Sequence, residues 1–131
     1  MESISVQATL DIPITRIADL LCTAFEGDVG YWACIVGYNT PSEPRSVYGS
    51  KTIHKYVDYP LTGGAIKLTI QDDEDAQTDP YIIDGDAISR GLNIMAKKYP
   101  RHFANFIQEQ EDAETGDVFV QCCIFGEIVY G

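Results

Sequence analysis

Residues 22–33, CTAFEGDVGYWA, place acidic and aromatic side chains at the end of an apolar helical pattern. A carboxylate in the last turn of a helix is disfavoured by roughly 0.3–1 kcal/mol, so Glu26 should have either a cationic partner or a functional role. Tyr31 and Trp32 alternate across the strand that follows, and one ring is expected to face the core. The stretch predicts a binding surface at Glu26, Asp28, Tyr31 and Trp32, because large rings bury much area at low entropic cost. The alternative is an ordinary helix end with a core tryptophan and a solvated glutamate.

Two acidic stretches form a second candidate surface. Residues 72–86 carry seven acids and residues 109–127 carry six, and neither contains Lys or Arg. Carboxylates on one face can imitate phosphates and occupy a basic groove of another protein. A merely solvated face is the alternative, and a calcium loop at 73–84 is disfavoured because its central glycine is absent. The residues predicted for the acidic face are Asp72, Asp73, Glu74, Asp75, Asp79, Glu109, Glu111, Asp112 and Glu114.

The basic residues Lys97, Lys98 and Arg101 form the only cluster of positive charge. They fall at the end of a predicted helix, where cations are favoured for structural reasons. The functional alternative is an anion site, with Tyr99 or Phe103 stacking on the base of a small nucleotide.

Motifs for catalysis and metal binding are missing from the sequence. It contains no Walker-type loop, no GxSxG and no HExxH. Cys22 or Cys34 with His54 or His102 would make a Cys–His pair, but the spacing does not support one. The four cysteines include no CxxC pair, which argues against zinc and for free thiols. We therefore predict no catalytic residue, no metal and no cofactor.

The elements that must position these residues follow from hydrophobic periodicity. Strands are predicted at residues 4–12, 31–38, 47–57 and 65–70, with a short addition at 81–84. Helices are predicted at 16–26 (ended by a left-handed Gly27), from 84 or 86 to 99, and from 100 to 110; for 118–130 a helix is favoured over a strand. This order indicates an α+β fold, with an antiparallel sheet of about four strands. Three to four helices, concentrated in the C-terminal half, should cover one face of the sheet.

Length and charge narrow the function further. The 131 residues suit one domain, 1–131, and no signal peptide or membrane-spanning pattern is visible, so a cytoplasmic location is expected. A formal charge of −11 opposes direct binding to nucleic acid or to an anionic membrane, and it favours a basic protein as partner.

Three stretches carry a resemblance to a known group of proteins. LLCTAFEGDVGYWA, DAISRGLNIMAKKYPRHFANF and ETGDVFVQCCIFGEIVYG resemble small uncharacterised proteins of tailed bacteriophages and prophages. Those proteins have a leucine-rich helix, then Glu-Gly-Gly and a Tyr-Trp pair; here Asp28 replaces the second glycine. The resemblance implies a phage origin and an accessory protein acting in the host cytoplasm, and it implies no particular activity.

The combined expectation is a non-enzymatic phage accessory protein that binds a basic host protein through an acidic face. A counter-defence inhibitor, such as an anti-CRISPR protein, is the version that we favour. The first alternative is a nucleotide-binding sponge that uses Tyr31, Trp32, Lys97, Lys98 and Arg101, and the second is a small enzyme of unrecognised type. Self-association through the apolar segment 124–131 is a further option.

Overall fold

Helices and strands alternate along the chain in an α+β arrangement. The computed structural model describes residues 2–71 and 79–131. The elements of those ranges are α1 (Ile14–Phe25), β1 (Ala33–Asn39), α2 (Lys55–Leu61), β2 (Ala65–Ile70), β3 (Tyr81–Ile83), α3 (Gly85–Lys98), α4 (Pro100–Ile107) and α5 (Ala113–Ile124), with a 3-10 turn at Asp28–Tyr31 between α1 and β1. The α+β class is confirmed, but the helices are spread along the chain, because α1 and α2 precede β2.

The sheet is antiparallel, as predicted, and has three strands in the order β1-β2-β3 within the described residues. Ala33 pairs with Ile70 and Asn39 with Ala65, and a register shift lies between Ile35 and Gly37. Ala33 is buried, whereas its neighbour Cys34 is exposed, as expected when one face of the sheet packs on the helices and the other faces solvent.

The predicted strand at 4–12 is wrong, although its side chains alternate as a strand requires. No strand forms there, and no backbone hydrogen bond joins it to another described residue. Ile4, Val6 and Leu10 are exposed. Alternation alone does not make a strand, because a strand also needs a neighbouring strand within hydrogen-bonding reach.

The predicted strand at 47–57 is also wrong, and the reason is a buried carboxylate. Asp58 is 1% exposed and accepts hydrogen bonds from the backbone N–H groups of Val47 and His54, at 2.9 Å each. These bonds hold the segment as a loop that leads into α2. With two of the predicted strands gone and β3 formed, the described sheet has three strands instead of about four.

Helices α1 and α5, which flank the candidate loop, lie near their predicted positions, but each begins or ends at other residues than predicted. Gly27 follows α1, but its φ is −115°, so it is not left-handed. A glycine is required there because a Cβ would lie 2.8 Å from the Cβ of Ala113. The segment predicted as helix 118–130 is helical from Ala113 to Ile124, and left-handed Gly126, with φ of 76°, ends it.

Helix α5 is the central element of the core. At Gly116, an added Cβ would lie 2.7 Å from the backbone of Ala24 on α1, and Gly91 of α3 gives similarly close access to Cys123. These two glycines let α5 lie close to both helices, and buried residues of the sheet complete one hydrophobic cluster. None of the helices in the described ranges has the length and apolar character needed to cross a lipid bilayer.

Candidate functional site: an acidic aromatic cleft

A cleft of about 510 Å³ opens where the 3-10 turn, α5 and the end of the chain meet. We call residues 126–131 the strap, because they fold back from α5 across the start of β1. The cleft contains three of the four residues predicted for the binding loop, together with Asp117 and part of the strap. Its lining consists of Asp28, Tyr31, Trp32, Asp117, Val129, Tyr130 and Gly131.

Trp32 and Tyr31 form the aromatic part of the cleft; one ring faces the core as predicted, but both residues precede β1 and do not alternate along it. Trp32 is 7% exposed, and its ring stacks on Tyr130 with 5.2 Å between centroids and 10° between planes. Its Nε1–H donates a hydrogen bond of 2.6 Å to Oδ1 of Asp117. Tyr31 is 83% exposed and leaves its ring free for contact with another molecule. The tryptophan thus belongs to the core and forms a wall of the cleft at the same time.

Asp117 is the acidic centre of the cleft. Its Oδ2 accepts a second hydrogen bond, of 3.2 Å, from Nε2 of Gln121. Burial raises the pKa of Asp117, and the negative charges of Asp28 and Glu114 raise it further, while the hydrogen bonds from Trp32 and Gln121 oppose the rise. In the part of the chain that the structure describes, no Lys, Arg or His lines the cleft. A cation placed here would relieve the repulsion among three carboxylates.

The buried side chain of Gln121 fixes the strap beside the cleft. Gln121 is fully buried, and its Oε1 accepts the backbone N–H groups of Val129 at 2.7 Å and Tyr130 at 2.8 Å. Its Nε2 also donates to the carbonyl of Tyr130 at 2.8 Å. Because Tyr130 is held at both backbone groups, its ring is positioned against Trp32. In the segment 124–131, Ile124, Phe125 and Tyr130 pack against the core, whereas Ile128 and Val129 are exposed, and self-association through this segment stays a prediction.

Sequence reasoning missed Asp117 and Gln121 as site residues. Asp117 lies inside α5, whose cap is Asp112, since Asp112 accepts the backbone N–H of Thr115 at 2.9 Å. The available signal was the i, i+4 spacing of Asp117 and Gln121 in an otherwise apolar segment. Two polar side chains on one face of a buried helix need partners, and here they are Trp32 and the strap.

Glu26, the fourth predicted loop residue, lies outside the lining of the cleft. Its Oε1 accepts a 2.9 Å hydrogen bond from the hydroxyl of Tyr56. Burial and this carboxylate raise the pKa of Tyr56 to about 12, so the phenol stays a donor at neutral pH. Glu26 is therefore bound to a neutral hydroxyl, and not to the cationic partner that was one of its two predicted explanations.

Two acids of the predicted acidic face, Glu109 and Glu111, contact Arg16 of the same chain. Glu111 forms a salt bridge of 2.8 Å with Arg16, and Glu109 lies 3.5 Å from the same guanidinium. Arg16 also donates to the carbonyl of Phe106 at 2.7 Å, so this cluster ties α1 to the end of α4. These two acids do not form a free array for a partner.

The remaining acids of that face differ in their surroundings. Asp112 is exposed, and the backbone N–H of Thr115 lowers its pKa, as expected for a helix cap. Glu114 is exposed and lies 3.9 Å from Nε2 of His102, and Asp79 is exposed before β3. Asp72, Asp73, Glu74 and Asp75 lie outside the described residues, and so do residues 73–78 of the calcium alternative at 73–84.

The predicted anion site is not assembled with the aromatic loop. Lys98 donates from Nζ to the carbonyl of Gly126 at 3.1 Å, and the hydroxyl of Tyr99 accepts the backbone N–H of Ile128 at 2.8 Å. Both residues therefore hold the strap. Lys97 and Arg101 are exposed, and none of the three basic residues lines the cleft.

Comparison with known proteins gives no relative: no family model, curated protein or solved structure matches the chain.

Among residues 2–71 and 79–131, no group of three or more His, Cys, Asp or Glu side chains could hold a metal ion. His102 faces Thr115 and Glu114, and no described hydrogen bond joins a histidine to a cysteine. The cleft is consequently the site whose chemistry carries a functional argument.

Proposed function

We propose that the protein is a non-enzymatic binding protein whose cleft receives an arginine or lysine side chain of a basic protein partner. The observation that carries the proposal is the convergence of Asp28 and Asp117 with the free ring of Tyr31 and the stacked rings of Trp32 and Tyr130. Among residues 2–71 and 79–131, no Lys, Arg or His lines the cleft to compete for that position.

The chemistry of the cleft favours a guanidinium over other groups. Arginine is planar and weakly hydrated, so it stacks on aromatic rings while it donates to carboxylates. A cation over an exposed ring such as Tyr31 contributes roughly 0.5–1 kcal/mol, and more when water is excluded. A phosphate would meet Asp28 and Asp117 instead of donors, which weighs against the nucleotide-sponge alternative.

The net charge supports the same class of partner. With a charge of −11, the chain attracts a basic surface over distances of about a Debye length, roughly 10 Å at 0.1 M salt. This attraction raises the association rate, while the cleft provides specificity.

The identity of the partner as a host protein rests on the resemblance to phage proteins. The residues that carry this resemblance include Glu26, Gly27, Tyr31 and Trp32, whereas Asp28 replaces a glycine of that pattern. Under this proposal the protein acts in the host cytoplasm and occupies the nucleic-acid groove of a host factor, as a counter-defence inhibitor would. The cleft would then engage one basic side chain at the edge of that groove.

Titration of Trp32 fluorescence with an arginine-rich peptide tests the proposal. Because Trp32 is the only tryptophan and forms a wall of the cleft, its emission should change in a saturable way. The matched peptide with citrulline in place of arginine has nearly the same shape and no charge, and it should not bind. Tyr31→Ala should weaken binding about 3- to 10-fold, in line with the loss of one cation–π contact.

A pair of variants separates a local from a global effect of charge. Asp28→Asn and Glu43→Gln each remove one negative charge, but only Asp28 lines the cleft. Asp28→Asn should weaken binding several-fold more than Glu43→Gln. Equal effects of the two variants, or equal binding of the citrulline peptide, would contradict the proposal.

A further inference from the structure

Residues 3–12, which we call the leading segment, have the pattern of a strand and no strand partner. Ile4 is 77% exposed, Val6 82% and Leu10 56%, so the apolar side of the alternation faces solvent over much of its length. Within the described ranges, the backbone of the segment takes part in no hydrogen bond. Residues 8–12 of the segment form one side of a groove of about 560 Å³, which is also lined by apolar side chains of α1 and α3.

The complementary feature is the outer edge of β1. Within the described residues this strand pairs only with β2, and outside that ladder its backbone takes part in one hydrogen bond, from Nε2 of Gln71 to the carbonyl of Ala33 at the start of the strand (3.4 Å). Its sequence, ACIVGYN, contains no charge and no proline, the two devices that commonly protect an edge strand. Val36 is 54% exposed, and only the register shift between Ile35 and Gly37 interrupts the edge.

We propose that the leading segment of one copy adds as a fourth strand to the β1 edge of a second copy, forming a symmetric dimer. The partner is a second copy and not the same chain, because residues 8–12 run beside α1 and α3 and not along β1. A twofold arrangement uses both segments and both edges, so neither is left unpaired.

Charge is consistent with this pairing. The segment from Ser3 to Leu10 is uncharged, as is β1, although the chain as a whole carries −11. The two segments that meet therefore add no charge of their own to the repulsion between acidic copies. Backbone hydrogen bonds provide affinity in such strand addition, and alternate side chains provide specificity. This inference does not depend on the function of the cleft.

Sedimentation equilibrium over a concentration series tests the proposal. The wild-type chain should show a monomer–dimer equilibrium, and Val6→Pro should weaken it at least about 10-fold, because proline removes a donor that a strand ladder requires. The same change should leave the monomer intact, since the segment makes no backbone hydrogen bond there. Val36→Lys should have a similar effect, because a charge protects an edge. Ile53→Lys, at an exposed position outside both surfaces, is the control.

Hydrogen exchange supplies a second measurement on the intact chain. Amides of residues 4–9 and 33–39 should become slower to exchange as concentration rises, and Val6→Pro should abolish this dependence. A chain that stays monomeric throughout the series overturns the proposal. So does a dimer that survives both Val6→Pro and Val36→Lys, or one without concentration-dependent protection of these two segments.

Discussion

The protonation of Asp117 controls the charge of the cleft. Burial raises its pKa above the ordinary value for an aspartate, so the folded protein binds this proton more tightly than the unfolded chain does. The resulting contribution to the free energy of unfolding is fully present below the unfolded pKa and is lost as pH rises through the folded pKa. We expect Trp32 emission to follow this titration, with a midpoint above the usual aspartate range, because the indole N–H bonds to the titrating carboxyl.

The Asp117→Asn variant provides the control at this position. Its amide oxygen can still accept from Trp32 but cannot titrate, so the fluorescence transition should disappear. Asp28→Asn should keep the transition and shift it to lower pH, because one of the repelling charges is gone. Arginine-peptide binding should strengthen as pH rises through the transition. A transition that persists in Asp117→Asn would assign the change to another group.

At the residue scale, three of the seven residues that line the cleft were among those predicted for the binding loop. These are Asp28, Tyr31 and Trp32, whose types and spacing are local signals. Asp117 and Tyr130 reach the same place only through the packing of α5 and the strap, and local sequence does not encode that contact. The role of Arg16 was missed for the same reason, since Glu111 lies far along the chain.

At the element scale, the crossing of α1 and α5 depends on Gly116. Gly→Ala in a helix ordinarily stabilises by roughly 0.5–1 kcal/mol. Here the added Cβ would lie 2.7 Å from the backbone of Ala24, which cannot move aside as a flexible side chain would. Overpacking of this kind costs about 1–3 kcal/mol, so Gly116→Ala should lower the free energy of unfolding in a urea titration. Gly30→Ala is the matched control, because no atom lies within 4 Å of its Cβ position. A stabilised Gly116→Ala would contradict the assigned contact.

Helices were predicted better than strands, because the signals for a helix are local and a strand needs a partner elsewhere in the chain. Helices α1, α3 and α4 were expected close to their observed positions, because an apolar stripe of period 3.6 and flanking Pro or Asp are local signals. The strands at 4–12 and 47–57 were wrong because a strand depends on partners that periodicity does not reveal. For residues 4–12 no partner strand lies among the described residues, and for residues 47–57 Asp58 holds a loop.

At the scale of the whole molecule, charge acts on folding and on binding in opposite directions. Twenty acids face nine basic residues, and Arg16 neutralises only part of the excess. Self-repulsion of this kind destabilises the compact state, while the same field attracts a basic partner. Salt therefore separates the two effects, since it screens exposed charges over the Debye length.

Raising NaCl from about 0.01 M to about 0.3 M shortens the Debye length several-fold, so the thermal unfolding midpoint should rise by a few degrees. Over the same range, affinity for the arginine-rich peptide should fall about 10-fold or more, because long-range attraction is screened. Differential scanning calorimetry and Trp32 titration measure the two quantities on one preparation, and equimolar KCl controls for ion identity. A midpoint that falls with salt would mean that the local pairs around Arg16 outweigh the surplus of negative charge. An affinity that does not change with salt concentration would mean that contacts other than those with the carboxylates of the cleft provide the binding energy.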